Sequence, residues 1–306
     1  MLTDEEIDLC IKAGKIAGEA RDFGLSLIKP GVRLEEVQLK VEEFIRDNGG
    51  ECAFPAQISL DNVAAHDCAS PGDPRVFTEK NIAKLDVGVH VDGYMADTAG
   101  TVDLQNGPES PLLLASKEGL ESAIKAIYPN ITTGEIGEHI EKAITKRGFK
   151  PVYNLTGHGL ARFQIHTSPQ IPNYGDRSKT KIKPGSLFAI EPFATTGRGY
   201  IRDVGSPQVF QLKRKPKAKD NLPLALEKGL ISLKGLPFAR RDLARFVGID
   251  KVEEALGLLN DRKLLIKYPP LAEESSAMIS QAEHTLILLD DMLIVTTDPK
   301  RPPIKF

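Results

Sequence analysis

Cysteine is scarce. Three residues, Cys10, Cys52 and Cys68, cannot close a disulfide framework in a chain of 306 residues and suit a reducing compartment. No apolar run approaches the ~18 residues that a membrane span needs. The opening Met1-Leu2-Thr3-Asp4-Glu5-Glu6 is acidic where a secretory leader would be basic. These absences predict a cytoplasmic protein with no membrane attachment. A strong charge of one sign is also missing, the net being -2. What is present, 41% hydrophobic and 27% charged residues, excludes disorder and supplies a large core.

The small net charge is a sum over unlike parts. Residues 211–270 hold 14 Lys+Arg against 7 Asp+Glu, a net of +7, and the rest of the chain is at -9. The block opens with the lysine-rich Gln211-Leu-Lys-Arg-Lys-Pro-Lys-Ala-Lys219, which reads as a loose linker, and the composition shift marks an insertion.

Thr3 and Glu6 form a capping box ahead of an amphipathic run, so the chain begins with a long helix that stops near Lys29-Pro30-Gly31. A second helix is predicted over Leu34–Ile45, and a similar one over Thr133–Lys146, with Gly49 and Gly148 at their ends. Ile28–Gly49 and Ile127–Gly148 align without gaps at an offset of 99, matching at Pro30/Pro129, Glu36/Glu135, Glu42/Glu141 and Gly49/Gly148. The pattern predicts two related halves, each a helical layer followed by strands, about a pseudo-two-fold axis. The expected strands are Lys84–Val91, Tyr94–Val102, Ser186–Phe193 and Glu283–Thr297.

The first of these strands carries chemistry. Alternation puts Leu85, Val87, Val89 and Val91 on one face and Asp86, Gly88 and His90 on the other. Asp92-Gly93 is a strong two-residue turn signal. With that turn Val91 pairs with Tyr94, Gly88 with Asp97 and Asp86 with Ala99, so Asp86 and Asp97 share a face as diagonal neighbours. Gly88, opposite Asp97, leaves space there. Two such carboxylates would repel unless something positive lies between them. Glu191 interrupts the apolar Leu187–Ile190, Glu283 precedes Leu286–Leu289, and His158 stands between glycines. Buried acids with one histidine are the ligands expected of borderline divalent cations.

These residues and their contexts resemble the methionine aminopeptidases of type II, in the short form found in archaea. The contexts are Leu85-Asp-Val-Gly88 with an Asp eleven residues after Asp86, Gly157-His-Gly159, Ile190-Glu-Pro192 and Gln281-Ala-Glu-His-Thr285. The resemblance runs over essentially the whole chain. It implies an α+β pita-bread (creatinase/aminopeptidase) fold with a pseudo-two-fold repeat. It also implies two divalent ions of Co, Mn, Fe, Zn or Ni, chelated by Asp86, bridged by Asp97 and Glu283, and completed by His158 and Glu191. By the same carry-over, an ion-bound hydroxide attacks the first peptide bond and removes the initiator methionine from nascent chains whose second residue is small. Glu191 is then the proton shuttle, His66 and His166 contact the scissile amide, and Phe54 and Ile165 line the methionine pocket. His90, His139 and His284 match no ligand.

Ninety-one residues lie between Glu191 and Glu283, where type II enzymes carry an insertion. Two helices, Ala239–Val247 and Lys251–Asn260, broken at Gly248 and followed by the strand Leu264–Tyr268, resemble a winged helix. The expected division is a catalytic domain of 1–205 and 272–306 around an insertion of 206–271. The insertion reads as a scaffold walling the cleft, with a basic face suited to ribosomal RNA. DNA is not an expected partner, and a monomer is expected. The competing readings are a proline-specific peptidase of the same fold and a silent relative that binds RNA or proteins. The first generally carries an extra N-terminal domain, and the second has lost ligands that are present here.

Overall fold

The computed structural model describes residues 2–306. Two α/β layers face one another, and the helices of each cover the outer face of its strands. In the first half, Asp4–Leu27 and Leu34–Asp47 are helical. Both arms of the Thr3–Glu6 capping box are present. The helices bury Ile16, Val37, Val41 and Ile45 against Leu85, Val87 and Val89. Gly14 and Gly18 let the first helix touch a distant segment: a Cβ would lie 2.4 Å from Thr296 Cβ at Gly14 and 2.3 Å from the Thr297 carbonyl at Gly18.

The hairpin takes the expected register. Ile82–Val91 pairs with Tyr94–Asp103, with Gly88 opposite Asp97 and Asp86 opposite Ala99. Asp92 and Gly93 turn at φ 50° and 86°, the left-handed pair that a type I′ turn demands. Gln57–Leu60 joins the other side of Ile82–Val91.

The second half repeats the plan. Helix Thr133–Lys146 has the expected bounds, and Pro111–Ala126, which the sequence reading did not separate, lies beside it. Ile136, Ile140 and Ile144 pack with Phe188, Ile190, Leu286 and Leu288. The strands Ser186–Ile190, Thr156–Ala161 and His284–Leu288 belong to a six-stranded sheet whose edge is Gln164–Pro172. Two expected long strands are broken. Ser186–Phe193 stops at Glu191-Pro192 and resumes as Phe193–Thr195, since proline has no N–H for the ladder. Glu283–Thr297 becomes His284–Leu288 and Met292–Val295, folded back at Asp290-Asp291. Glu191 and Glu283 therefore sit at strand ends, where a side chain can turn into the space between the halves.

Within 206–271, helices Arg240–Val247 and Val252–Asp261 and strand Leu265–Tyr268 occur where expected. A further helix, Leu224–Ser232, was not foreseen. Nor is the lysine-rich stretch simply a loose linker. It begins in strand Val209–Leu212, the centre of a small sheet, and Arg214 then pairs with Asp220 at 2.7 Å. These elements share an apolar cluster that includes Phe210, Leu226, Phe238, Leu243, Leu256 and Leu265. Among the described residues no helix is long and apolar enough to cross a membrane.

Candidate metal centre

Between the halves lies a cleft of about 240 Å³ lined by Asp86, Asp97, His158, Glu191 and Glu283 at one end, with Phe54, His66, Ile165 and His166 also in its wall. All five residues expected to bind metal, and all four expected to meet substrate, thus face one space. The halves are stitched together beside it. The Thr285 hydroxyl accepts from Asp97 N–H and donates to the Asp97 carbonyl, both at 2.8 Å, and Thr98 Oγ1 donates to the Glu283 carbonyl at 2.8 Å. Two acids on different strands are fixed by hydroxyls of the opposite half.

Ligand atoms of Asp97, His158 and Glu283 lie within 4.8 Å of one another, and all three residues are buried. His158 Nε2 is 3.6 Å from Asp97 Oδ2 and 3.6 Å from Glu191 Oε1. Its Nδ1 lies 3.2 Å from the Gly159 carbonyl, which can only accept, so that nitrogen carries the proton and Nε2 is left with a lone pair. Burial pushes His158 down to about 3, so the ring is neutral at ordinary pH. A neutral Nε2 facing two carboxylates makes no attraction by itself. A cation supplies what is missing.

The carboxylates say the same. Burial pushes Asp86 up to about 7. Asp97, Glu191 and Glu283 are raised well above the ordinary range by burial first and then by repulsion from one another and from Asp86. Asp86 Oδ1 and Asp97 Oδ1 are buried with no hydrogen-bond partner. Four crowded acids, two orphaned oxygens and one oriented imidazole fit hard or borderline divalent cations.

The apolar end of the cleft depends on a glycine. The space that Gly88 leaves opposite Asp97 is filled by Phe54, whose Cε1 would lie 2.2 Å from a Cβ at residue 88. Ile165 is buried in the same cluster as Phe54. His66 adopts φ 66°, an uncommon backbone for a non-glycine residue. Its Nδ1 lies 3.3 Å from the Pro269 carbonyl, and burial lowers it to about 4, so Nε2 is an unprotonated acceptor. His166 lies edge-on to His158, their ring centroids 4.4 Å apart.

The insertion, expected to wall the cleft, contributes Val209, Pro237 and Tyr268, which sequence reasoning did not name. Tyr268 pairs with Val209 across the small sheet and meets His66 edge-on at 5.5 Å. Gln57 in the wall was missed as well. His90, by contrast, accepts from Gly93 N–H at the hairpin turn, and His284 Nδ1 lies 2.7 Å from Thr297 Oγ1. Neither lines the cleft.

The paired halves and the buried acid–histidine cluster define a metal-dependent peptidase of the pita-bread class. Residues 8–211 match the model of metallopeptidase family M24, to which the chain belongs. Within it the chain is 40% identical over 295 residues to a methionine aminopeptidase of Pyrococcus horikoshii, covering 96% of this chain and 100% of the relative. The fold resembles the crystal structure of methionine aminopeptidase from Thermotoga maritima, with a TM-score of 0.71, 22% identity and coverage of 97% and 98% of the two chains. It also resembles prolidase from Pyrococcus furiosus, with a TM-score of 0.62 and 21% identity, covering 96% of this chain and 64% of that one.

Proposed function

We propose that this chain is a type II methionyl aminopeptidase that removes the initiator methionine from nascent proteins with a small second residue. The observation that carries the reading is the union, in one cleft, of an acid–histidine cluster with a pocket containing Phe54 and Ile165. Asp86, Asp97, His158, Glu191 and Glu283 would hold two divalent ions. Four carboxylates then offset four positive charges. When bound, such ions would supply an acidified water as nucleophile and would polarise the scissile carbonyl. Glu191, beside His158, would move a proton toward the leaving amine. His66 Nε2 accepts from the scissile N–H, and His166 stabilises the oxyanion.

The test is release of methionine from Met-Ala-Ser by protein reconstituted with each of Co, Mn, Fe, Zn and Ni, alongside an Xaa-Pro peptide. No methionine with any of these ions would sink the reading, and preferential cleavage of the Xaa-Pro peptide would replace it with a proline-specific one. His66→Ala should lower kcat about 10²–10³-fold, as loss of a transition-state hydrogen bond does. Its metal content, measured by elemental analysis, should stay that of the wild type. Gly88→Ala should raise KM for Met-Ala-Ser about tenfold, since moving a packed ring costs about 1–3 kcal/mol. A KM unchanged by this substitution would remove Phe54 from the pocket.

The insertion, 206–271, is read as a winged-helix-like scaffold of the cleft wall, supported by its own apolar cluster and by Tyr268 beside His66. A second role rests on its charge: Lys213, Lys215, Lys217 and Lys219 are exposed on the lysine-rich stretch and suit ribosomal RNA. Neutralising these four should weaken ribosome co-sedimentation at low salt, and an unchanged pellet removes the idea. The protein is proposed to act as a cytoplasmic monomer.

A further inference from the structure

Gln57 is a buried polar side chain that the chemistry above leaves unused. It is 6% exposed, lines the cleft, and lies directly opposite Asp86 in the sheet register. Its Oε1 has no hydrogen-bond partner, and neither has Asp86 Oδ1. Paired residues of an antiparallel ladder bring their Cβ atoms to about 4.5–5.5 Å, so two unpartnered acceptors stand side by side on one wall. A buried acceptor left unmade costs stability, and an apolar side chain would fill the same volume without that cost. The backbone just before Gln57 is also fixed. Ala56 N–H donates to Glu42 Oε1 at 3.2 Å, and the Ala56 carbonyl accepts from Arg241 Nη2 at 3.1 Å. The strand that carries Gln57 is therefore anchored at that point before any ligand arrives.

A ligand that satisfies this wall brings several N–H donors on a small group. An aminopeptidase substrate differs from an internal peptide in having such a group, its free α-amine. We infer that Gln57 Oε1, beside Asp86, accepts a hydrogen bond from the substrate α-amino group, so that Gln57 makes the enzyme read chain ends. The inference rests on the aminopeptidase reading above and assigns a specificity residue to it. An amide suits the task, being an acceptor that adds no further negative charge beside Asp86.

The test compares two competitive inhibitors of Met-Ala-Ser hydrolysis by the metal-loaded full chain: L-methionine, and its deaminated analogue 4-(methylthio)butanoic acid. Wild type should prefer methionine by at least about tenfold. Gln57→Leu should shrink that ratio at least about fivefold through methionine alone, leaving the inhibition constant of the analogue unchanged. Gln57→Glu, which keeps an acceptor at the same reach, should hold the ratio at or above that of the wild type. A Gln57→Leu ratio equal to the wild type, or equal weakening of both inhibitors, overturns the assignment. A collapsed ratio in Gln57→Glu does the same, and it serves if the leucine variant fails to fold. Absence of methionine release by the wild type overturns the aminopeptidase reading, and this inference with it.

Discussion

Divalent ions should bind the metal-free protein at least about a hundredfold more weakly at pH 6 than at pH 8, because a metal must displace protons from the acids that ligate it. Without the ion, burial raises Asp86 to about 7, and burial together with mutual repulsion raises Asp97, Glu191 and Glu283 further. One displaced proton changes apparent affinity about tenfold per pH unit, and two units give the hundredfold. The sign for stability runs the other way from a salt-bridged carboxylate. A folded-state value raised above the unfolded one contributes stability in full below the unfolded value, about pH 4, and that stability is lost as pH rises through the raised value. The metal-free chain should therefore melt at falling temperature from pH 5 to pH 8, while the metal-loaded chain should not. Calorimetric titration in two buffers of different ionisation enthalpy would count the released protons. Affinity that does not vary with pH, or binding without proton release, would contradict the arrangement of ligands.

Arg241→Met should destabilise the fold by about 3–5 kcal/mol, the usual cost of removing one partner of a buried ion pair. Arg241 comes from the insertion, is 6% exposed, and reaches Glu42 on the second helix, itself 2% exposed. The guanidinium also donates to the Ala56 and Ala69 carbonyls at 3.1 and 3.3 Å and to Cys68 Sγ. Deleting it strands Glu42, whose Oε2 already lacks a hydrogen bond. Arg245 stands 3.6 Å from that oxygen and is too exposed to replace the lost charge. Removing both charges, as Glu42→Gln with Arg241→Met, should recover most of the loss, because the double variant leaves no lone ion in the interior. Urea unfolding midpoints decide the matter. A single variant within about 1 kcal/mol of the wild type would show that the pair is solvated and does not clamp the insertion.

Some of the fold was legible for local reasons. A two-residue Asp-Gly turn admits one register, and that register put Asp86 and Asp97 on one face without any long-range information. The Thr3–Glu6 capping box fixed the start of the first layer in the same local way. The remaining two acids, Glu191 and Glu283, and His158 were legible as a set only through their contexts and the family they resemble. Nothing in Ile190-Glu-Pro192 by itself says that its carboxylate will meet His158. The breaks in the two long strands were misread because Pro192 and Asp290-Asp291 were weighed less than the apolar runs around them.

What stayed hidden is partnership across sequence distance. Lys84 reads as the outer end of a strand, yet it is 1% exposed, donates to the Asp61 and Ile279 carbonyls at 3.0 and 3.1 Å, and is lowered to about 7 by burial. Arg241 reads as one more positive charge in a basic block, and Gln57 as one more polar residue on a strand. In each case the informative fact is a partner, or the want of one, set by segments far away in the chain.

The seat of the first helix has a bearing on the birth of the molecule itself. Gly14 and Gly18 lie against Thr296 and Thr297, so the opening helix finds its place only after translation has passed residue 297. Glu283, brought in just ahead of those threonines, arrives equally late. Until then the chain has neither a finished first layer nor a full set of acids. An enzyme proposed to trim newborn proteins is thus without its full site until those late residues have been made.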